Sequence, residues 1–281
     1  MTDTNQAPAI SIFSQQSDTI WRYARPENDI REGLRVTHVW GALGWHDIRQ
    51  RYRRSVIGPF WFTLSMAILV LVLGFLYSTL FRQEISDYLP FLATGLIVWQ
   101  YIATMANESC TVFIEAGYLI KQIRMPLTIH VARIVWRNFI ILIHNLPVIL
   151  VILIVFDRLP GWGILVVPVG VLILMLNGIW IGIVLGILGA RYRDIKPIIG
   201  NFVQIAFFFT PIMWMPEILE DRAWVAEYNP FYHLIELIRA PLLGGSVPLQ
   251  SWLWAAGMII VGFLSAQWLL RHYRTRVPYW L

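Results

Sequence analysis

Charged residues are scarce in this 281-residue chain, and cysteine and lysine are almost absent. Asp, Glu, Lys and Arg make up 14% of the sequence and hydrophobic residues 57%, whereas soluble globular domains carry roughly 25% charged residues. A chain this apolar would leave no face for water. Its composition therefore excludes an ordinary soluble domain and predicts that a bilayer surrounds most of the chain. The single cysteine, Cys110, excludes a disulfide within the chain.

The scarcity of lysine also excludes a nucleotide-binding P-loop. That loop needs Gly-Lys followed by Ser or Thr to hold phosphate groups, but the two lysines, Lys121 and Lys196, each follow an isoleucine. We therefore expect the chain to bind neither ATP nor Mg, and any nucleotide energy to come from a partner protein. The six histidines are scattered without metal-ligand spacing, so we predict neither a metal site nor a catalytic residue.

Apolar runs long enough to cross a bilayer dominate what remains. A span needs about 20 predominantly apolar residues, and the pattern predicts an all-α integral membrane protein with six transmembrane helices. The predicted spans cover residues 60–81, 89–106, 129–156, 162–190, 198–214 and 252–270. They belong to a transmembrane domain of residues 59–281. Residues 1–33 form a polar tail without a signal-peptide core, and we predict that it is partly disordered.

Eighteen of the 22 Lys and Arg residues fall on one side of those spans. Eight precede the first span, four follow the second, three lie between the fourth and fifth, and three follow the last. Short segments rich in Arg and Lys remain in the cytoplasm. This asymmetry predicts that both termini are cytoplasmic, and it accounts for the isoelectric point near 9.5 without a nucleic-acid partner.

Residues 34–58 are predicted to form an amphipathic interface helix before the first span. Apolar side chains recur at helical spacing from Leu34 to Val56, and the other face carries Arg49, Arg53 and Arg54. Such a helix would lie in the cytoplasmic membrane interface rather than cross it.

Residues 216–245 are too polar to span the membrane, yet they are rich in aromatic and aliphatic side chains. We predict a pair of re-entrant helices here, before the last span, that turns at Asn229 and Pro230. Irregular backbone at membrane depth must be buried in protein or line an aqueous cavity. We therefore expect this pair to border a translocation path.

The third predicted span carries a polar stripe of His130, Arg133, Arg137 and His144. One interpretation is that the first three side chains extend towards lipid headgroups at the cytoplasmic surface. The other is a phosphate-binding track inside the bundle, since charge within a membrane is costly without a partner.

Aromatic residues make up 14% of the chain, including 14 tryptophans. They are typical of the aromatic belts at membrane interfaces, but aromatic faces also stack on sugar rings. Five that lie near predicted helix ends could serve either role. These are Trp61, Trp99, Tyr101, Phe208 and Trp214.

Several short segments, in this order and topology, are similar to one known family. They are Arg51–Trp61 (RYRRSVIGPFW), Leu119–Pro126 (LIKQIRMP), Ala190–Asp194 (ARYRD), Tyr228–Phe231 (YNPF) with Glu236 and Arg239, and Arg276–Leu281 (RVPYWL). The chain resembles the membrane permease subunit of bacterial type-2 ABC exporters for polysaccharide. These Wzm-like proteins export lipid-linked O-antigen, capsule or teichoic acid.

The resemblance implies a homodimer in the inner membrane, with a pore on its two-fold axis and two separate ATPase subunits below. It identifies residues 34–58 as the family's interface helix, residues 216–245 as its re-entrant pair, and residues 108–124 as its coupling helix. The residues expected to contact the ATPase are Glu115, Leu119, Lys121 and Arg124. The residues expected to meet the lipid phosphate as it enters are Arg49, Arg53, Arg54, Arg133 and Arg137.

The coupling assignment has independent support from the apolar residues Val112, Phe113, Leu119 and Ile120, which would otherwise face water. Two other functions remain open on the sequence alone. The chain could belong to an exporter of drugs or small lipids. It could also be a membrane acyltransferase or glycosyltransferase, with His130 or His144 as the catalytic candidate.

Overall fold

A computed structural model describes residues 28–53, 58, 60–217 and 224–281, and these residues form α-helices joined by short connections. The first eight helices are α1 (Asp29–Arg35), α2 (Thr37–Tyr52), α3 (Phe60–Phe81), α4 (Ile85–Ser109), α5 (Val112–Glu115), α6 (Gly117–Gln122), α7 (Thr128–Val155) and α8 (Val167–Arg191). A 3₁₀-helix at Trp162–Val166 leads into α8. The remaining helices are α9 (Ile195–Phe209), α10 (Trp224–Glu227), α11 (Pro230–Leu242), α12 (Leu249–Tyr273) and α13 (Val277–Trp280).

Within the described residues, five segments are long and apolar enough to cross a membrane: α3, α4, α7, α12, and α8 together with its 3₁₀ lead. The multi-pass prediction is therefore confirmed for these five. Helix α4 lies at the centre of the bundle and packs against α3, α7, α8, α9 and α11. Most of its side chains are consequently buried, whereas α3 and α12 expose mainly apolar side chains, as lipid-facing helices do.

The predicted span at residues 198–214 corresponds to α9, which has only 15 residues. At 1.5 Å per residue it is about 22 Å long, short of the roughly 30 Å hydrocarbon core. The helix ends at Phe209 because Thr210 adopts an extended conformation, as residues before a proline do. Pro211 is that proline.

The predicted interface segment contains a break. Val36 is non-helical and separates α1 from α2, so the last residues of the predicted polar tail are helical. Helix α2 packs along α7, where a Cβ on Gly44 would lie only 2.9 Å from the carbonyl oxygen of Arg133. Arg54 and residues 55–57 lie outside the described residues.

The two described ends of the chain meet at one end of the bundle, here called the terminal end. The buried carboxylate of Asp29 in α1 accepts a 2.7 Å bond from Nε of Arg274, which follows α12. The same carboxylate accepts hydrogen bonds from the backbone N–H groups of Leu127 and Thr128 at the start of α7. These contacts hold α1, the start of α7 and the end of α12 together, while the predicted cytoplasmic position of both termini stays a prediction.

Candidate functional site

The predicted coupling segment forms two short helices, α5 and α6, at the terminal end of the bundle. It follows α4 directly, since Ser109 is the last residue of that helix. Helix α8 passes close beneath the segment: a Cβ on Gly189 would overlap the carbonyl of Cys110, and one on Gly186 would lie 2.7 Å from Val112. These two glycines allow the two backbones to approach closely.

The outer face of α5 and α6 mixes apolar and charged side chains. Glu115, Lys121 and Arg124 are exposed and Leu119 is half-buried, so the four predicted contact residues lie on one short segment. The apolar part of the prediction needs correction, because Val112 and Phe113 are buried against α8. The apolar groups that do face outward are Ile114, Tyr118 and Ile123, with Tyr118 74% exposed.

The C-terminal residues support the coupling segment from the side. A Cβ on Gly117 would lie 3.5 Å from Cβ of Leu281. The guanidinium of Arg191, at the end of α8, lies 5.4 Å from the ring of Trp280 and 5.7 Å from that of Tyr273. Cation–π contacts of this kind hold the end of α8, α12 and the C-terminus together at the terminal end.

A charged cluster connects α2, α4 and α7 just inside the coupling segment. Arg133 donates to both carboxylate oxygens of Asp47, through Nε at 2.6 Å and through Nη2. Arg137 binds Asp47 at 3.1 Å and Glu108 at 2.6 Å. Arg51 lies 3.5 Å from Glu108. Three arginines thus share two carboxylates, which leaves a formal charge of +1.

This cluster bears directly on the predicted phosphate-binding arginines. Arg133 and Arg137 both belong to the cluster, and the carboxylates of Asp47 and Glu108 occupy their donors. Asn138 also donates to Glu108, at 2.7 Å. Arg49 in α2 and Arg53 directly after it are exposed, and neither belongs to this cluster.

The five predicted aromatic residues do not form one surface. Trp99 and Tyr101 are buried inside the subunit, and Trp99 packs its ring 5.6 Å from that of Phe231. Trp61 and Phe208 are exposed. Trp214 is half-buried, and its indole N–H donates to the carbonyl of Phe208 at 3.1 Å.

The predicted turn at Asn229 and Pro230 is the N-terminus of α11. Asn229 Oδ1 accepts from the N–H of Phe231 at 2.9 Å and caps the helix, while Pro230 occupies the first helical position, where its missing N–H is harmless. Asn229 Nδ2 donates to the carbonyl of Phe209 and the hydroxyl of Thr210. One side chain therefore joins the end of α9 to the start of α11.

Histidine 233 joins the same region to α12. Burial lowers the pKa of His233, so the ring is neutral at pH 7. Its Nε2 lies 2.7 Å from the carbonyl of Glu227 and its Nδ1 lies 3.0 Å from the hydroxyl of Ser251. The neutral ring therefore donates to the carbonyl and accepts from the hydroxyl.

Neither histidine proposed for a membrane enzyme forms a catalytic pair with a described residue. His130 is 1% exposed and hydrogen-bonds to no described residue, while Nδ1 of His144 lies 2.8 Å from the carbonyl of Ile140 in its own helix. Within the described residues, no group of three or more His, Cys, Asp or Glu side chains could hold a metal ion.

Comparisons with known proteins identify the family. Residues 38–243 match the model of the ABC-2 type transporter family. An O-antigen export system permease protein RfbA from Klebsiella pneumoniae is 26% identical over 221 residues, covering 76% of this chain and 84% of that protein. A protein of the same name from Myxococcus xanthus is 25% identical over 244 residues, covering 82% and 94%. The predicted resemblance is confirmed, and the chain belongs to the ABC-2 type transporter family of membrane permeases.

Proposed function

We propose that this chain is the transmembrane subunit of an ATP-driven exporter that moves a lipid-linked polysaccharide, O-antigen in the first instance, across the bacterial inner membrane. Two copies would form the pore and two separate ABC ATPase subunits would bind at the terminal end, which would face the cytoplasm. The likeness to O-antigen export permeases over about four-fifths of the chain carries this proposal. No ATP or Mg would bind to the chain itself.

The terminal end supports the placement of the ATPase. The exposed side chains of Ile114, Tyr118 and Ile123 stand beside Lys121 and Arg124. An apolar patch rimmed by charge is typical of a surface that binds another protein. The excess of Arg and Lys at this end favours the cytoplasm.

We expect ATP binding in the partner to move the coupling segment. The charged cluster would transmit that movement to the helices within the membrane. Glu108 lies in the last turn of α4, four residues before α5 begins, and Arg51 and Asp47 belong to α2. A push on α5 would therefore change the ion pairs that hold α2 against α4 and α7. In this mechanism, the lipid phosphate would meet the exposed Arg49 and Arg53 first and would then compete with the carboxylates for Arg133 and Arg137.

Purification tests the proposal. The tagged chain, extracted from native membranes in mild detergent, should carry a P-loop ATPase in a one-to-one ratio, and the complex should hydrolyse ATP. Deletion of its gene should remove polysaccharide from the cell surface and leave lipid-linked polymer inside the cell. A chain that purifies alone, with surface polysaccharide intact after deletion, would refute the assignment.

Charge reversal in the coupling segment tests the site. Lys121→Glu together with Arg124→Glu should leave insertion and dimerisation intact, since both side chains are exposed and hydrogen-bond to no described residue. The double change should reduce the ATPase activity of the complex and the export that depends on it. Arg82→Glu, at an exposed position at the opposite end, is the matched control. Normal hydrolysis and export in the coupling variant would sink this assignment.

A further inference from the structure

Helix α9 carries two exposed amide side chains in an otherwise apolar sequence. Asn201 and Gln204 are both exposed, and neither forms a hydrogen bond with the residues that the structure describes. Gln204 lies nine residues from the start of the helix, about 13 Å along its axis. Polar side chains at such depth are costly against lipid and face a protein interior or a water-filled cavity instead.

A second polar stripe lies on the neighbouring helix α4. Gln100, Thr104 and Asn107 are spaced four and three residues apart and so share one face. Gln100 is exposed, and its Nε2 donates to the hydroxyl of Thr104 at 3.1 Å. Thr104 and Asn107 are half-buried. The stripe covers about 10 Å of the helix axis.

The packing of the two helices brings the stripes to the same level. Trp99 and Phe207 have ring centroids 5.9 Å apart. At the other end of the contact, a Cβ on Gly200 would lie 3.5 Å from Oδ1 of Asn107. These two contacts define an antiparallel register, in which Asn201 and Gln204 fall between the levels of Asn107 and Gln100.

We propose that Gln100, Thr104, Asn107, Asn201 and Gln204 form a saccharide track that binds the sugar chain in the half of the membrane nearer the terminal end. The inference rests on the proposed function and names the part of the substrate that these residues contact. Amides and hydroxyls both donate and accept hydrogen bonds, as sugar hydroxyls do. The track carries no charge, so a lipid phosphate would pass to the arginines instead.

An aromatic side chain completes the chemistry of this edge. Phe208 is 63% exposed and lies four residues after Gln204, on the same edge of α9. An aromatic face beside amide groups suits a sugar ring, whose C–H groups stack while its hydroxyls bond. Of the five predicted aromatic residues, Phe208 is thus the one that adjoins the track.

A second copy of the chain is the rival occupant of these amides. A separate exposed ridge of Ile198, Phe202, Ile205 and Phe209 runs along α9 beside the amide edge. This ridge offers the apolar surface that a neighbouring helix or lipid would cover. The amides are not needed for that contact, and their hydrogen-bonding capacity favours the hydrated sugar chain.

Export rates test the track. In the native host, Gln100→Leu combined with Gln204→Leu should lower the rate at which pulse-labelled polysaccharide reaches the surface by roughly tenfold, because two hydrogen-bonding sites are lost. Protein level and ATPase co-purification should not change. Gln100→Asn with Gln204→Asn should restore most of the rate. Ser265→Leu, at an exposed hydroxyl on α12, should have no effect.

Photo-crosslinking identifies the occupant. A photoreactive amino acid at position 204 should capture the host's lipid-linked polysaccharide, whereas one at position 260, which is exposed on α12, should not. A crosslink between two copies of the chain without glycan would overturn the track. So would a normal export rate in the leucine variant. Export that survives deletion of the gene would instead refute the proposed function, so the two failures are distinguishable.

Discussion

Two arginines at opposite ends of the bundle are bonded to carboxylates in different ways. Arg239 in α11 is 1% exposed and binds Glu236 one turn earlier, the carbonyl of Pro211 at 2.7 Å, and the ring of Phe91 at 4.0 Å. Arg137 in α7 binds carboxylates from two other helices. We call the first site closed, because Arg239 is buried and its carboxylate partner, Glu236, lies in its own helix. The second is a shared cluster in which each carboxylate has another cation.

The difference separates a site that stabilises the fold from one that can rearrange. Removal of Arg239 would leave Glu236 without this partner, in a region where its side chain is only 12% exposed. Removal of Arg137 would leave Asp47 bound to Arg133, and Glu108 close to Arg51. An exchangeable cluster between the interface helix and the coupling segment suits a movement driven by a partner. A closed site suits the anchoring of the segment between α9 and α12.

The largest effect is therefore expected at the closed site. Arg239→Met should lower the free energy of unfolding by about 3–5 kcal/mol, because it leaves a carboxylate without its partner in a poorly solvated place. The measurement is denaturant-induced unfolding of the purified protein in detergent. If the variant does not accumulate, Arg239→Lys, which keeps the charge but loses the planar fork, should give a smaller loss.

The matched control for Arg239 is an exposed ion pair at the same end. Arg158 binds Asp87, with side-chain exposures of 56% and 46%. Arg158→Met should cost only about 0–1 kcal/mol, since exposed pairs gain little over water. If Arg239→Met and Arg158→Met lowered the free energy of unfolding equally, burial would not explain the stabilisation by Arg239.

An intermediate effect is expected at Asp29, at the terminal end. Asp29→Ala should lower the free energy of unfolding by about 2–3 kcal/mol, because two backbone N–H groups at the start of α7 and the guanidinium of Arg274 lose this acceptor. Asp29→Asn keeps an acceptor oxygen and should lose less. Glu32→Ala, at a half-buried acid in the same helix, is the control. A loss in Glu32→Ala as large as that in Asp29→Ala would contradict the capping role.

Asp29 also shows what the sequence could not reveal. Hydropathy and charge are local signals, and of the six spans that they predicted, five are long apolar helices in the described part of the chain. The carboxylate of Asp29 accepts a hydrogen bond from Thr128, 99 residues away. No local sequence pattern around Asp29 indicates that contact. The break at Val36 was missed for a related reason, because apolar spacing continues through it.

The candidate site was predicted in outline for similar reasons. The exposure of Lys121 and Arg124 could be predicted, because charge and loop position are readable in the sequence. Trp99 and Tyr101, for which an aromatic belt and a sugar path both stayed open, are buried. Helix α4 is apolar around most of its circumference near these residues, so the apolar pattern alone does not indicate which face turns inward. The polar stripe at Gln100, Thr104 and Asn107 was present in the sequence as a helical repeat, and it was the available signal.

Among the three buried sites, the smallest effect is expected at the shared cluster. Arg137→Gln should lower the free energy of unfolding by about 1 kcal/mol, since Asp47 and Glu108 each keep a second partner. Adding Asp47→Asn should cost less than the sum of the two single changes, because the groups belong to one network. If Arg137→Gln instead lowers the free energy of unfolding as much as Arg239→Met, the second partners of Asp47 and Glu108 do not compensate for the loss of Arg137. The role of the cluster would then be to hold α2 in place, and the route from the coupling segment into the membrane would have to run through α8, beneath Gly186 and Gly189.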